Sequence, residues 1–407
     1  MNQPEITVKV ACSAVEINRL RHFWSRLNYN SEADMDFVLM LASVRPEIHR
    51  PYILAAYYND ELVALMVGRV EKTLMNVRIG YFTLFKLPLT QIVFVRDGYL
   101  GEWSERITKE MVEEIAKALR KGEVNRVRLC SLPIDSILHD YTKRYFHEFQ
   151  RNCFCIIGEH WITSLPNNFE AFLMKKSKKR RHEFRRITKV FENQYKGKVS
   201  YQIFTKSHEV DAFCRSAEMI AKTTYQRGLD SGFFDNLENR ERLDLATRKG
   251  WLRAYVVLVE DIPIAFWAGE RVGDVMHLIW TGFDPSYRKY EVGTILFLKM
   301  VEDLLVHGIK EIDYGLGGAK YKERFGDQCL MEQDVDIYAP TLKGYSINLI
   351  SILERVINRT GKRLSTWLKI TEKVKRIWRA GLASKAKPTP EILSSTKSSD
   401  KDRIPFS

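Results

Sequence analysis

The sequence has little of what an extracellular or membrane-spanning protein needs. Its six cysteines among 407 residues are too few for a disulfide scaffold. No apolar run approaches the roughly 18–20 residues that cross a bilayer. Residues 1–5 are polar and do not form a basic segment followed by an apolar one. We therefore expect a cytoplasmic protein without a secretory signal, in which the thiols are reduced.

The sequence also lacks the spacing of a metal site and of the common nucleotide-binding loops. Cys153 and Cys155 alternate with an apolar residue, as in a buried strand, and no second Cys/His pair has ligand spacing nearby. We therefore expect no metal. The stretch DYGLGGAKYKERFG, residues 313–326, has no Ser or Thr after Lys320 and lacks G-x-G-x-x-G spacing. It is neither a P-loop nor a dinucleotide fingerprint.

Positive charge is concentrated in two segments of the chain. The formal net charge is +13, and Lys and Arg cluster within residues 175–189 and 359–387. Such clusters indicate anionic partners, for example phosphates, nucleic acid or a membrane surface. Residues 384–407 are polar with scattered Pro and Ser, and we expect them to be disordered.

A weak internal repeat indicates two related domains. Residues 57–69 (YYNDELVALMVGR) and 258–270 (LVEDIPIAFWAGE) each predict a strand, an acidic tight turn and a second strand. Asp60 in the first segment corresponds to Asp261 in the second. Each hairpin lies within a longer mixed pattern of strands and helices. The pattern predicts two domains, residues 1–160 and 161–340.

The second domain contains the elements that carry the candidate site. A basic helix is predicted after Pro166, with Asn167 and Glu170 in the positions of a capping box. Later, an apolar helix over residues 293–307 leads to a strand over 311–314. That strand ends directly at the glycine-rich stretch.

The character of the sequence changes after Pro340. Apolar residues recur at helical spacing on both sides of a predicted break at Thr360-Gly361, opposite a face of Lys and Arg. The pattern predicts basic amphipathic helices over residues 341–383. Two interpretations remain open: a helical pair that packs on the body or on a dimer partner, and a peripheral contact with an anionic inner membrane leaflet.

Three segments of the second domain together carry the pattern of a known superfamily. The main one lies within residues 262–326 and contains IPIAFWAGE, TGFDPSY and RKYEVGTILFLKMVEDLLVHGIKEIDYGLGGAKYKERFG. The others are WITSLPNNFEAFLMKKSKKRRHEFRRITKVF, residues 161–191, and TTYQRGLDSGF, residues 223–233. Together they resemble the GNAT acyltransferases, in the branch of CelD/BcsL-like proteins related to the FemABX aminoacyltransferases. The resemblance is weaker in the first domain.

The resemblance implies both a fold and an acyl donor. The expected fold is α/β (α+β): tandem GNAT-like domains, each a mixed, mostly antiparallel sheet flanked by helices, followed by the basic helical tail. The expected donor is acetyl-CoA or another acyl-CoA. The superfamily's pyrophosphate loop reads [QR]-x-x-G-x-[GA]; Arg288 and Gly293 match its ends, but Glu291 stands where the first glycine belongs. Lys289 and Thr294 complete the predicted cofactor-binding residues.

Four residues are candidates for the chemistry, which must remove a proton from an amine or hydroxyl and stabilise an oxyanion. His277 is either the base or an ordinary strand histidine. Asp313 is a base, an orienting group or a turn cap. Tyr321 is a candidate to protonate a leaving thiolate, and Lys322 to bind a phosphate or polarise the oxyanion. The alternative for Tyr321 and Lys322 is a helix start with solvated charge.

The acceptor site is the least defined part of the prediction. The basic helix is either a solvated face or a clamp for tRNA, a lipid-linked sugar or the CoA 3′-phosphate. The candidate substrate-binding residues are Arg180, Arg181, Tyr225, Arg227, Trp280 and Lys320.

These observations predict a GNAT-type acetyltransferase with a small-molecule or saccharide acceptor. The resemblance implies N- or O-acetylation of a saccharide or of a cell-envelope or exopolysaccharide precursor. Two alternatives remain. One is an aminoacyl-tRNA-dependent transferase like the FemABX enzymes. The other is a non-catalytic protein that binds nucleic acid or a membrane surface through the two basic segments.

Overall fold

The computed structural model describes residues 5–27, 29–80, 82–152, 157–224, 226–229, 231–317 and 319–367. Several predictions fall outside these ranges. They are those for Cys153, Cys155 and Tyr225, for the helical segment 368–383 and for the tail 384–407.

The described residues alternate between strands and helices along the chain. The strands are β1 (Ile6–Ala11), β2 (Ile48–Tyr58), β3 (Glu61–Ile79), β4 (Phe82–Gly101), β5 (Arg126–Pro133), β6 (Ile157–Ser164), β7 (Val199–Phe204), β8 (Leu252–Val259), β9 (Ile262–Val272), β10 (Val275–Phe283), β11 (Glu311–Leu316) and β12 (Gln328–Tyr338). The α-helices are α1 (Ala14–Arg19), α2 (Arg21–Trp24), α3 (Met35–Val44), α4 (Glu105–Arg120), α5 (Ile137–Tyr145), α6 (Phe169–Met174), α7 (Lys178–Gln194), α8 (Val210–Thr223), α9 (Leu237–Arg248), α10 (Val292–Val306), α11 (Lys320–Phe325) and α12 (Leu342–Trp367).

The two predicted hairpins form, and their turns share one conformation. β2 pairs with β3 and β8 with β9, both antiparallel. Asn59 and Asp60 have φ of 48° and 65°, and Glu260 and Asp261 have φ of 50° and 65°. Positive φ at both central residues is typical of a type I′ turn, whose twist matches the strands that it joins. The repeat in the sequence is therefore also a repeat in the structure.

The strands of the described residues form one sheet in the order β1-β2-β3-β4-β5-β12-β6-β11-β10-β9-β8-β7. The first five strands build one half and β7 to β11 build the other. Between them, β12 pairs with β5 of the first half and β6 pairs with β11 of the second. The predicted fold class, a mixed sheet flanked by helices, is confirmed. The predicted boundary at residues 160/161 falls inside β6.

Helices cover both faces of each half of the sheet. In the first half, α4 packs on one face, while α1, α2 and α3 pack on the other. The faces alternate along each strand: Leu54 of β2 points to α4, and its neighbours Ile53 and Ala55 point to the opposite core. In the second half, α7 and α10 cover one face and α8 and α9 the other.

Two local features differ from the sequence prediction. Asn168, and not Asn167, caps α6, because its side-chain oxygen accepts a hydrogen bond from the backbone N–H of Ala171 at 2.8 Å. In addition, α12 continues through Thr360 and Gly361, where the sequence predicts a break. Tertiary contacts made by the same helix outweigh the low helix propensity of one glycine.

The buried carboxylate of Asp336 ties β12 to β5 and α12. Arg128 donates to its two oxygens at 2.7 and 2.9 Å, and Arg355 lies 3.3 Å away. We expect Asp336→Ala to lower the free energy of unfolding by about 3–5 kcal/mol, because the arginines lose a buried counter-charge. Urea denaturation measures this, with the exposed Asp140→Ala as control. Equal effects in the two variants would contradict the prediction.

Candidate functional site

Strands β10 and β11 run parallel but separate soon after they begin. Their pairing ends where His277 faces Asp313. Near that point the register of β10 shifts between Leu278 and Trp280, and that of β11 shifts between Asp313 and Leu316. Such a bulge adds one residue to a strand and redirects the groups beside it. The two bulged strands therefore form a cleft within the sheet.

A cavity of about 240 Å³ lies in this cleft. Four of its lining residues are the candidates predicted for catalysis, His277, Asp313, Tyr321 and Lys322. The segment before α3, strand β4 and helix α9 contribute the polar groups that were not predicted, which are Asn30, Glu32, Arg96 and Arg242. The cavity thus lies between the two halves of the sheet.

The carboxylate of Asp313 is the centre of this site and is only 5% exposed. One oxygen lies 2.7 Å from His160 Nε2, and the other lies 3.1 Å from His277 Nδ1. Arg96 Nη2 donates to the second oxygen at 2.6 Å. Burial alone would raise the pKa of Asp313, but the histidine hydrogen bonds and the arginine charge hold it well below its usual range. Asp313 is therefore ionised.

Gly315, in the glycine-rich stretch, orients the carboxylate of Asp313. Gly315 has a φ of 66°, and a Cβ at that position would lie 3.1 Å from an Arg96 nitrogen. Both facts favour glycine. The left-handed residue forms the bulge of β11 and turns its N–H toward Asp313 Oδ1, to which it donates at 2.6 Å.

His160 of β6 is buried between two carboxylates. Its Nε2 faces Asp313, and its Nδ1 lies 2.5 Å from Glu332 Oε1 on β12. Burial would lower the pKa of His160, but the hydrogen bonds to Asp313 and Glu332 outweigh it and raise the pKa to about 9. At neutral pH His160 is an imidazolium that donates from both nitrogens. It anchors Asp313 and does not accept a proton.

His277 is the histidine that lines the cavity. Its Nδ1 lies 3.1 Å from Asp313 and 3.3 Å from the amide nitrogen of Asn30. That amide also lies 3.3 Å from Asp97 Oδ2, to which it can donate. The network therefore assigns a proton to His277 Nδ1, donated to Asp313, and leaves Nε2 as a proton acceptor.

Two arginines line the cavity and link the halves of the molecule. Arg96 of β4 reaches Asp313 of β11 at 2.6 Å. Arg242 of α9 lies 3.4 Å from Glu32 of the first half, and its guanidinium lies 5.6 Å from the centre of the Trp280 ring. These contacts give the cavity a wall that is both charged and aromatic.

Lys322 of α11 is 7% exposed, and its ammonium group faces the end of β11. It donates to the carbonyl oxygens of Gly315 at 3.1 Å and Leu316 at 2.6 Å. Burial lowers its pKa to about 8. Lys322 therefore supports the backbone of the bulge and releases a proton more readily than an ordinary lysine.

Aromatic packing connects the cavity to the start of α10. The rings of Tyr321 and Trp267, which both line the cavity, meet edge to face with centroids 5.3 Å apart. Trp267 Nε1 in turn donates to the carbonyl oxygen of Gly293 at 2.9 Å. The predicted pyrophosphate loop, residues 288–293, is thus one side chain away from the cavity; we call it the donor loop.

The predicted donor loop takes an unusual conformation at Glu291. This residue precedes α10 with a φ of 53° and makes no side-chain cap, so the position is one that favours glycine. Its carboxylate accepts a hydrogen bond from Arg324 Nη1 at 2.6 Å, and Thr294 Oγ1 lies 3.4 Å away. Arg288 and Lys289 are exposed in the turn before it.

Of the six residues predicted to bind the acceptor, Trp280 lines this cavity. Arg180 and Arg181 lie on α7, and Lys320 is exposed at the start of α11. Arg227 donates to Glu218 at 2.6 Å and so stabilises the loop that carries it. Tyr225 is outside the described residues.

The sequence analysis did not predict the residues that surround Asp313. They are distant from it in the chain, and only the strand order brings them together: Asn30, Arg96, Asp97, His160 and Glu332. One signal was present in the sequence, because Arg96 and Asp97 directly follow the apolar run IVFV, residues 92–95. Charged residues in a buried strand need partners and often mark a functional site.

Residues 178–323 match the family model described as "Acetyltransferase (GNAT) domain". This range includes β10, β11, the donor loop and the catalytic candidates. This part of the chain therefore has the fold of a GNAT acetyltransferase domain, and the match supports a transferase.

Solved structures are similar to this chain at low sequence identity. FemX has a TM-score of 0.55 and 9% identity, covering 81% of this chain and 97% of that one. A conserved protein of unknown function from Bacteroides thetaiotaomicron has a TM-score of 0.50 and 12% identity, covering 82% and 100%. A tandem GNAT protein from the clavulanic acid biosynthesis pathway has a TM-score of 0.46 and 11% identity, covering 82% and 99%. No curated protein matches the chain in sequence.

Two features are absent from the described residues. No group of three or more His, Cys, Asp or Glu side chains there is arranged to hold a metal ion. Within the same residues, no helix is both long and apolar enough to cross a bilayer.

The raised pKa of His160 predicts a pH-dependent stability. The folded pKa of about 9 lies above the ordinary 6.5, so the stabilisation is complete below the lower value and is lost as pH rises toward the higher one. We expect the free energy of unfolding to fall by on the order of 3 kcal/mol across this window.

Urea denaturation of the wild type and of His160→Gln at several pH values measures this effect. The difference between the two proteins should shrink as pH rises, and the titration of Lys322, present in both, cancels. A difference that does not change with pH would show that His160 is not held as an imidazolium.

Proposed function

We propose that the protein transfers an acetyl group from acetyl-CoA to an amine or hydroxyl of a saccharide or of a cell-envelope precursor. The observation that carries the proposal is the cleft between β10 and β11, with His277 and Asp313 at the point where the strands part. The cleft offers room beside a proton acceptor whose orientation is fixed. Acetyl-CoA supplies the acyl group, activated as a thioester.

His277 is the proton acceptor in this proposal. Asp313 holds the Nδ1 proton, so Nε2 takes the proton from the attacking amine or hydroxyl as the new bond forms. Asp313 itself stays ionised, because Arg96 and His160 stabilise its charge. Asp313 is therefore a positioning residue for the histidine.

Backbone and side-chain groups of the cleft stabilise the charge that develops. The bulge of β10 between Leu278 and Trp280 leaves one residue outside the ladder with β9. A backbone N–H released in this way is a suitable donor to the acyl oxygen as it becomes negative. Tyr321 and Lys322, which line the same cavity, are candidates to protonate the departing thiolate; the lowered pKa of Lys322, about 8, suits this role.

The start of α10 fits the pyrophosphate of the donor. Its first N–H groups receive no side-chain cap, and a helix N-terminus with free N–H groups favours an anion. Arg288 and Lys289 add two exposed cations. Glu291 would repel a phosphate, but Arg324 binds its carboxylate and offsets this charge.

The acceptor side of the cavity supports a polyhydroxylated ligand. Trp280 provides an aromatic face, while Glu32 and Arg242 provide hydrogen-bonding groups of both kinds. Hydrogen-bond donors and acceptors beside an aromatic wall match the hydroxyl groups and the apolar face of a sugar ring. The resemblance of residues 161–191 and 313–326 to CelD/BcsL-like proteins supports a saccharide or envelope precursor.

A second candidate, transfer from an aminoacyl-tRNA, is favoured by the surface of α7. This helix packs against the turn that carries Arg288. It exposes a row of cations beside the donor loop, namely Lys178, Lys179, Arg185, Arg186 and Lys189. A row of this length suits a polyanion better than a single pyrophosphate.

Acetyl-CoA binding tests the leading proposal. Acetyl-CoA should raise the melting temperature of the full chain, and Arg288→Ala should weaken binding about 10- to 100-fold, because a charge-assisted hydrogen bond is lost. Arg215→Ala, which removes an exposed cation on α8, should bind like the wild type. Isothermal titration calorimetry gives the dissociation constants. No binding of any acyl-CoA would refute the proposal.

The variant Glu291→Gly provides a second test of acetyl-CoA binding at the donor loop. We expect acetyl-CoA to bind several-fold more tightly to this variant, because glycine removes a negative charge and the strain of a left-handed side chain. Weaker binding would mean that Glu291 assists the donor and that the loop does not bind a pyrophosphate as proposed.

Charged tRNA distinguishes the second candidate. Aminoacyl-tRNA should bind with an affinity that falls steeply with salt if α7 is its site. Reversing two cations, Lys179→Glu with Arg186→Glu, should then abolish binding. A variant that retains tRNA affinity, or a wild type that binds acetyl-CoA and not tRNA, excludes this candidate.

A further inference from the structure

Helix α12 turns an apolar face away from the rest of the protein. The exposed apolar residues recur at spacings of three and four, as on one side of a helix. They are Leu342, Tyr345, Leu349, Leu353, Val356 and Ile357, and Leu342 is 89% exposed. A surface helix of a globular protein normally buries such a stripe against the core.

The face of α12 that contacts the protein combines one buried apolar residue, Ile347, with several polar side chains. Asn348 donates to the carbonyl oxygen of Phe149 at 2.8 Å, and Arg355 reaches Asp336 at 3.3 Å. Farther along, the side chain of Asn358 accepts from the N–H of Gly80 at 2.7 Å. Hydrogen bonds and an ion pair therefore fix the orientation of α12, while its apolar stripe remains available to another surface.

The end of the β3–β4 hairpin continues this apolar surface. The hairpin adjoins α12, since the N–H of Arg78 donates to Glu354 at 3.0 Å. Its exposed apolar side chains are Leu74, Ile79, Phe82, Leu84 and Phe85, and Phe82 is 77% exposed. We call these residues, together with the apolar stripe of α12, the α12 surface.

The hairpin part of the α12 surface is positively charged. Residues 72–96 contain no Asp or Glu. Three cations of this segment, Lys72, Arg78 and Lys86, are exposed. A stretch that combines exposed apolar side chains with cations and lacks acids is suited to an anionic partner with an apolar layer.

Helix α12 has the same bias of charge. Lys343 and Arg359 are exposed, and its one acidic residue, Glu354, is bound to the hairpin backbone. In the sequence, residues 342–379 contain ten Lys or Arg and two Glu. Both components of the α12 surface therefore carry positive charge beside apolar side chains.

We propose that the α12 surface docks on the face of an anionic phospholipid membrane. The leucine and phenylalanine side chains enter the boundary between headgroups and acyl chains, and the lysines and arginines contact the lipid phosphates. Apolar burial and attraction to anionic headgroups are the two interactions that bind amphipathic helices at a membrane interface. The proposal does not depend on the acyl transfer proposed above.

Charge favours this occupant over the others. A second copy of the chain would bring the same cations to the same surface. Residues 368–407 contain ten Lys or Arg and four Asp or Glu, so this segment would also bring net positive charge. A nucleic acid would attract the cations but would leave the apolar stripe without a partner, because its surface is polar and charged.

Vesicle sedimentation with the full chain tests the proposal. We expect binding to vesicles that contain about one third phosphatidylglycerol in phosphatidylcholine, weaker binding to phosphatidylcholine alone, and weakening by salt. The double variant Leu349→Asp/Leu353→Asp should raise the lipid concentration for half-binding by at least about tenfold, because two leucines no longer enter the interface.

A matched double variant controls for the added charge. Leu237→Asp/Val306→Asp changes two exposed apolar residues on α9 and α10 in the same way and should bind vesicles like the wild type. Absence of binding to anionic vesicles, or equal losses in the two double variants, would overturn the proposal. So would a dimer in sedimentation equilibrium that Leu349→Asp/Leu353→Asp dissociates, or tRNA binding that the same variant abolishes.

Discussion

A buried carboxylate stays ionised only if other groups pair with it, and Asp313 is where this constraint shapes the molecule. Its partners come from three other strands: Arg96 from β4, His160 from β6 and His277 from β10. β6 and β10 pair with β11 on its two sides, and Arg96 reaches Asp313 from β4. One electrostatic requirement therefore links these strands to the orientation of the proposed base.

The position of β6 and β12 between the two halves of the sheet brings the partners of Asp313 together. β6 and β12 lie between the first five strands and the second half, and they carry His160 and Glu332. The two histidines that contact Asp313 then differ in surroundings: His160 has a carboxylate at each nitrogen, whereas His277 has Asp313 at one nitrogen and lines the cavity with its ring. One is thereby held as a cation, and the other keeps a nitrogen available for proton transfer.

Local signals in the sequence predicted the local parts of this structure. The paired hairpins followed from the acidic turns at Asp60 and Asp261. A strand over residues 311–314 followed from its apolar residues and the glycines after it, although β11 continues to Leu316. The partners of Asp313 were not predictable in this way, since they depend on the order of strands far apart in the chain. The continuity of α12 depends likewise on contacts with the distant hairpin, which the spacing of its own residues does not reveal.

The central claim is that Asp313 acts on the reaction through His277. A double-mutant cycle of Asp313→Asn and His277→Gln tests it most directly, measured as kcat for acetyl transfer from acetyl-CoA to an amine or hydroxyl acceptor that the wild type uses. Each single variant should lower kcat by about 10²–10⁴-fold, and the double variant should be no slower than the slower single variant, because the two residues act as a unit. Losses that multiply in the double variant, or wild-type turnover in His277→Gln, would contradict the account.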